Sequence, residues 1–548
     1  MPDRPGDDPT WLQTVCSPEP CAGRRKHVLT LAVLLVAVLT GVHGFNASEA
    51  RLLYPDAFDY AQMARQLAAG EGMTSLQAFP YVVGWLADGG FEAGSPWPNV
   101  WRFPLPIVLR AASMRLLGPS EAAALLPALL LSLGTAPLLF RLANRLGGAL
   151  AGLLAASLWI VSPSQHQFAS SGLTEPGAVA LAVAIAGLAL RARDDSRRFV
   201  GVGLGAALGL ALLQRSNLLA LAPVAVGIAV LGQARGRGRR LASILGTALL
   251  VASPWLLRNA VLFGDPLLNL TSDRGLLRLG LGADPFYRLA IEDPASTLRS
   301  SLALYPQGWS LEWLAAAAPQ MLGREFAWLL PVGLVGAVVS LRGSRAAGTR
   351  DRRLAAAWAL AWSGLAATAA VFAPPYPDVL RFYWPYTALL LAPGCALLAS
   401  LAQRLPGKAT GPVACAAGIA VFVLAAPRGN VAPLFPAPAS PVLGWSGETR
   451  TVEGLVASDQ SYVVAWQTGL PSLRFSGDYA VLSVIDERIE RIGAIYLSAA
   501  NVRTAAPLRR PPLSRLFEPV EGTGGALFVR TTVASAAALE PAVREARP

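Results

Sequence analysis

Two carboxylates stand three residues apart in YPDAFDYAQMARQLAAGEG, the stretch from Tyr54 to Gly72. A helix starting near Pro55 gives Asp56 and Tyr60 one face, and likewise Asp59 and Met63. A carboxylate in the first turn has two uses. It caps the helix, meeting free N–H groups and the positive end of the dipole, or it takes a proton from a nucleophile. Periodicity leaves both open for Asp56. Five more ionisable residues sit at the ends of apolar runs: Arg102 before Phe103-Pro104, Glu175 in SGLTEP, Arg215 in LLQRSN, Arg258 in PWLLRN and Arg381 in DVLRFYWP. The guanidinium fork matches phosphate oxygens, so arginines gathered at one lipid surface suit a phosphate. Singly, each also serves to snorkel toward headgroups.

Whether these residues meet depends on the elements that carry them. Of the 548 residues, 53% are hydrophobic and only 15% charged, where soluble domains carry about 25% charged residues. The apolar residues fall in blocks, and a membrane span needs about 20. Hydropathy predicts spans near 28–44, 120–141, 147–162, 173–190, 199–214, 216–232, 241–257, 327–342, 354–373, 382–402 and 411–427. The first follows Arg24-Arg25-Lys26 without a small-residue cleavage site, and it reads as an anchor rather than a signal peptide. Basic clusters alternate with the spans: Arg24 to Lys26, Arg141 and Arg145, Arg191 to Arg198, Arg235 to Arg240, Arg342 to Arg353, and Arg404 with Lys408 fall on one side. Positive charge marks the cytoplasmic face. An odd span count then puts the N-terminus inside and the C-terminus outside. It also puts Arg102, Glu175, Arg215, Arg258 and Arg381 together at the outer interface, where positive charge is normally scarce.

The reading is therefore an all-α polytopic protein of the inner (cytoplasmic) membrane, with a small extracytoplasmic α/β module at its C-terminus. Residues 1–27 form a cytoplasmic tail. Residues 28–427 form the transmembrane domain, with external loops at 45–119 and 258–326, and residues 428–548 form the module. The first loop holds a second amphipathic helix, RFPLPIVLRAASMRLLG. After the linker VAPLFPAPASPVLG, the module reads strand-helix-strand-helix-strand through GLVASD, QSYVVAWQTG, SLRFS, AVLSVIDERIERIG and AIYLSAA.

The formal charge of +12 follows from the positive-inside rule and gives no reason to expect nucleic acid. Cys16, Cys21, Cys395 and Cys415 form neither a disulfide framework nor a zinc ligand set. Asn46-Ala-Ser48 and Asn269-Leu-Thr271 fit the glycosylation sequon, a pattern short enough to arise by chance. Span interiors hold almost no ionisable residues, which counts against a transporter or flippase of lipid-linked sugars, the competing reading. A non-catalytic scaffold in envelope assembly is the third.

The pattern Asp56, Tyr60, Ala64, Leu67, Gly70, Gly72 resembles the first-loop signature of bacterial GT-C membrane glycosyltransferases. These are related to dolichyl-phosphate-mannose–protein mannosyltransferases and to the lipid A aminoarabinose transferase. WRFPLPIVLRAASMRLLGPSEAAALLPALL is similar to the family's next segment, with Phe103 where a proline is usual. SGLTEP, PWLLRNAVLFGDPL and RFYWPYTALLL resemble its later signatures, and the likeness spans about residues 28–400. It implies transfer of a sugar from a polyprenyl-phosphate carrier to a glycan, lipid or protein acceptor on the outer face, with inversion. It also implies that Asp56 is the base. Relatives often carry an acidic pair there, whereas Ala57 follows Asp56 in this chain. Asp59, Tyr60 and Glu175 then support the site or the acceptor. Arg258 and Arg381 hold the donor phosphate, with Arg102 and Arg215 as further candidates. Arginines can supply the electrostatics, so no cofactor and no metal are expected, although a divalent cation is compatible.

Overall fold

The structure is a computed structural model that describes residues 51–88, 94–232, 236–268, 349–371, 380–402, 452–475, 477–520, 525–531 and 539–545, with residues 35, 36, 38 and 39 of the first span. Helix α1 is Pro55–Ala69. Pro55 starts it, because a first-turn residue has no helical partner for an N–H, and Gly70 ends it in the left-handed region at φ 94°. The short strands β1 (Thr74–Ser75) and β2 (Gln77–Ala78) follow, then helix α2 (Pro80–Asp88), strand β3 (Trp97–Pro98) and helix α3 (Pro104–Leu117). Strand β1 pairs antiparallel with β3.

The apolar helices come next: α4 (Glu121–Gly147), α5 (Ala149–Ile160), α6 (Pro163–Ser170), α7 (Glu175–Asp194), α8 (Arg198–Gln214), α9 (Ala222–Leu231) and α10 (Arg237–Phe263). Three more follow: α11 (Thr349–Val371), α12 (Leu380–Leu389) and α13 (Leu391–Ala402). Among the described residues, four stretches are long and apolar enough to cross a membrane: Glu121–Gly147, Glu175–Asp194, Arg237–Phe263 and Arg381–Ser400. This is a multi-pass membrane protein. Spans expected at 28–44, 327–342 and 411–427 lie mostly or wholly outside the described residues.

Two expected spans differ in detail. The 216–232 stretch opens as a 3-10 turn, Ser216–Leu221, before α9, since Pro223 suits only a helix's first turn. The 382–402 stretch breaks at residue 390, because Pro393 has no N–H for the carbonyl one turn back. Small residues bring helices close. A side chain at Gly209 in α8 would stand 2.7 Å from the Ala248 carbonyl oxygen of α10, so only glycine permits that crossing.

The C-terminal module contains the expected order: β4 (Leu455–Ser458), helix α14 (Ser461–Thr468), β5 (Ser472–Arg474), helix α15 (Tyr479–Arg488) and β6 (Ile492–Ser498). It adds a hairpin of β7 (Phe517–Val520) and β8 (Gly525–Arg530), then helix α16 (Leu539–Glu545). The six-stranded sheet has the order β2-β5-β4-β6-β8-β7. Strands β2, β5, β4 and β6 are parallel, and the hairpin is antiparallel. The first loop thus contributes an edge strand to the tail's sheet, with Gln77 opposite Ser472 and Ala78 opposite Leu473. Arg530 and Asp486, both nearly buried, pair at 2.6 Å and tie the hairpin to α15.

Candidate active site

Asp56 and Asp59 leave α1 toward Arg102. One Asp56 oxygen accepts from Arg102 Nη2 at 2.8 Å, and the other lies 2.6 Å from Arg381 Nη2. The carboxylate therefore faces guanidinium groups rather than the free N–H groups of its own helix. Arg102 Nε reaches Asp59 at 2.6 Å, so one arginine bridges both acids. Glu175 accepts from Arg215 Nη1 at 2.7 Å through the oxygen that lies 3.9 Å from Arg381 Nε. Six of the residues singled out in the sequence, drawn from α1, the turn before α3, α7, the end of α8 and α12, form one continuous charge network.

Local structure accounts for each position. Asn99 accepts from the N–H groups of Trp101 and Arg102 and donates to the Arg102 carbonyl, fixing the turn that presents Arg102. Glu175 opens α7, where the dipole favours a carboxylate, and Pro176 follows. Gly177 leaves room for Gln214, whose amide donates to the Thr174 carbonyl at 2.9 Å and holds the start of α7 to the end of α8. The cation of Arg215 lies over the Phe382 ring at 4.3 Å.

The two aspartates differ. Asp59 is 2% exposed, and its second oxygen accepts from Gln62. Burial pushes its carboxyl above the usual range, and Arg102 only partly offsets this. Asp56 retains 25% of its side-chain exposure. Burial pulls its carboxyl upward too, but the charges of Arg102 and Arg381 win and hold it well below the carboxylate range. Asp56 is the more exposed of the two carboxylates.

Tyr60 lies between two cations, Arg102 and Arg110, each 5.2 Å from its ring. Arg110 did not stand out in the sequence. It lies mid-helix in α3 and donates to the carbonyls of Ala124 and Gly172. Burial lowers it to about 10, against the charges of Tyr60 and Glu175. Arg258 lies apart from the carboxylates: it donates to the Asn99 carbonyl and the Asn259 side chain at 2.9 Å, with its cation over Trp255. It is joined to the site through the Asn99 turn.

A buried chain of hydrogen bonds runs from the site into the module. Gln62 donates to Asp59 at 3.1 Å and to Ser75 at 2.7 Å, and its oxygen accepts from the Leu76 N–H. The Leu76 carbonyl accepts from the Ser472 N–H of β5 at 2.8 Å. Nearby, Arg65 donates to the Ala465 and Trp466 carbonyls at 2.7 Å, satisfying the last turn of α14. Among the described residues, no group of three His, Cys, Asp or Glu side chains is placed to hold a metal ion.

Residues 102–257 match the family described as dolichyl-phosphate-mannose-protein mannosyltransferase. Among solved structures, the Archaeoglobus fulgidus oligosaccharyltransferase tethered to an acceptor peptide is 13% identical, covering 92% of this chain and 74% of that one at a TM-score of 0.51. The same enzyme with zinc and sulfate is 14% identical, covering 90% and 73% at 0.50. ArnT from Cupriavidus metallidurans bound to undecaprenyl phosphate is 16% identical, covering 92% and 98% at 0.46. No curated protein sequence matches the chain. The stretch that carries Arg102, Glu175 and Arg215 is thus similar to the dolichyl-phosphate-mannose-protein mannosyltransferases, and the chain shares its fold with the Archaeoglobus fulgidus oligosaccharyltransferase.

Proposed function

We propose that this protein moves a sugar from a polyprenyl-phosphate carrier to an acceptor hydroxyl at the extracytoplasmic surface, with inversion at the anomeric carbon. One observation carries the reading: Arg102, Arg215 and Arg381 converge from distant segments on Asp56, Asp59 and Glu175. The family match over residues 102–257 supports a lipid-phosphate sugar as donor.

In this mechanism Asp56 takes the acceptor hydroxyl's proton as the oxygen attacks the anomeric carbon. The bond from that carbon to the phosphate oxygen breaks, and the polyprenyl phosphate leaves with the electron pair. Arg381 and Arg102, assisted by Arg215, hold the developing charge. Arg381 and Arg102 are the same guanidinium groups that pair with Asp56 in the structure. A bound phosphate competes for them, lets Asp56 rise toward its ordinary basicity, and so readies the base only when donor is present. Asp59 keeps Arg102 in place, and Arg258 sets the Asn99 turn.

The test is transfer by purified protein in nanodiscs, with donors identified by mass spectrometry of lipid-linked sugars that accumulate when the gene is deleted. Asp56→Asn keeps the shape and removes the basicity. It is expected to bind donor and transfer almost nothing. Full transfer by Asp56→Asn would overturn the assignment. The orientation predicts that reporters fused at Gly147 or Gly238 read as cytoplasmic and one at Gly477 as external. A cytoplasmic reading at Gly477 moves the site to the wrong side.

A further inference from the structure

The module's sheet has a point where its connections diverge. From β4 the chain passes through α14 to β5 on one side, then through α15 to β6 on the other. In open parallel sheets, ligands settle outside the carboxyl ends of strands at such a point. Here that crevice lies between β4 and β6. Asp459 follows β4, and its carboxylate accepts from the Ser498 N–H at 2.9 Å, the Ser498 hydroxyl at 2.5 Å and the Asn501 amide at 2.7 Å. Arg474 ends β5 and donates to the Asp459 carbonyl. Gln460 accepts from the Tyr462 hydroxyl at 2.9 Å, and the Arg474 cation lies 5.5 Å from the Tyr462 ring.

Two contacts aim this edge at the membrane site. The Tyr462 ring packs against Phe58 of α1 at 6.2 Å. Tyr462 thus meets Phe58 of α1 and Arg474 of β5, and burial raises its phenol while Arg474 works against the rise. On the other flank β2 runs parallel to β5, and Phe79, just past its carboxyl end, meets Trp101 edge to face at 4.4 Å. Trp101 is the neighbour of Arg102.

We infer that the crevice outside β4 and β6, formed by Asp459, Gln460, Arg474 and Asn501 beside Tyr462, binds the acceptor of the proposed transfer, and that this acceptor is a saccharide. The inference rests on the transferase reading for the acceptor's role alone. Asp459 is buried with both oxygens engaged, so it braces the crevice by holding Ser498 and Asn501 in place, while two amides and a guanidinium beside an aromatic ring supply the donors and acceptors that neighbouring hydroxyls need. Asn501 is exposed, and Gln460 and Arg474 are half-buried, so their polar groups border solvent. Among the described residues, the sheet's edges make poor templates for a peptide. One sheet edge is the two-residue β2, and the other is β7, where Pro519 offers no ladder donor.

The test presents the full-length protein in nanodiscs to an array of defined oligosaccharides and to an array of unstructured peptides, without donor. Wild-type protein is expected to retain at least one saccharide. Arg474→Gln and Asn501→Ala should each weaken that binding about tenfold, the scale of one lost polar contact. Asp194→Asn, at the far end of α7, should bind as wild type. Thermal unfolding of each variant separates lost contacts from lost fold, and Gln460→Ala replaces either one that fails to fold. Retention of peptides in place of saccharides, no saccharide retained, or equal retention by folded variants would each overturn the inference. Loss of saccharide binding with transfer intact sinks the subsite alone. Saccharide binding without any transfer sinks the transferase reading alone.

Discussion

Helix α7 carries a carboxylate at each end, and the two ends use similar ion pairs differently. At one end Glu175 is 1% exposed and holds Arg215 at 2.7 Å within a network that includes Arg381, Asp56 and Arg102. At the other end Asp194 is 26% exposed and pairs with Arg145 and Arg353 at 2.7 Å. Distances do not separate them. Burial and assembly do. Asp194 and its neighbours sit among the basic residues on which the expected topology rests, and Arg191 and Arg193 complement the negative end of the dipole. The Glu175 end gathers arginines where positive-inside bias supplies no reason for them, in a setting where each charge is poorly screened. The solvated pairs at the Asp194 end suit the orienting of helices, whereas the buried pairs at the Glu175 end, shared among several arginines, are the ones we propose open to a donor phosphate.

The sharpest way to break this contrast is to neutralise one acid at each end. Asp56→Asn should lower turnover about 10²–10⁴-fold, the usual cost of a positioned base, measured as product formed from a polyprenyl-phosphate sugar. Arg381→Ala should weaken donor binding about 10- to 100-fold through lost charge-assisted bonds, with Arg381→Lys between it and wild type. Arg353→Ala, the counterpart at the other end, should leave donor affinity alone. Asp59→Asn should retain activity reduced about tenfold, because Arg102 loses its buried anchor and shifts; equal loss in Asp59→Asn and Asp56→Asn would reassign the base.

A pH profile sharpens the comparison further. Arg102 and Arg381 hold Asp56 low in the free protein, so the acidic limb of kcat/KM should fall at low pH. With the phosphate occupying those arginines, the limb of kcat should move to higher pH. Coincident limbs would mean that Asp56 stays paired during turnover. The smallest effect belongs to Asp194→Asn: less than about 1 kcal/mol in stability and unchanged transfer, read by thermal unfolding and turnover together.

Much of this architecture is legible in the sequence. Hydropathy and alternating basic loops locate α4, α5 and α7 to α13 but not the short α2 and α6, and the same topology argument collects Arg102, Glu175, Arg215 and Arg381 at one level because each lies at an end of an apolar run. Asp56 owes its prominence to a family pattern. The rest depends on contacts that a linear pattern does not encode. Arg258 ends an apolar run much as Arg381 opens one, yet its guanidinium turns to the Asn99 carbonyl. Arg110 looks like one more cation on an amphipathic helix, although it is 3% exposed. Gln77 and Ala78 have no strand signature, since two residues show no alternation. Their pairing follows from β5 lying alongside. The β7–β8 hairpin escapes a linear reading because Pro519 and the acidic Glu518 read as loop.

The pairing of β2 with β5 also sets a timetable. Leu76 accepts its bond from Ser472, 396 residues later, and the loop that presents Asp56 rests on Trp466 and Ala465 through Arg65. A ribosome making this chain delivers the catalytic loop early and its support last, so the loop waits through the synthesis of every described apolar helix. Contacts this distant form slowly. The growing chain is therefore expected to stay silent in the proposed transfer until its final fifth emerges.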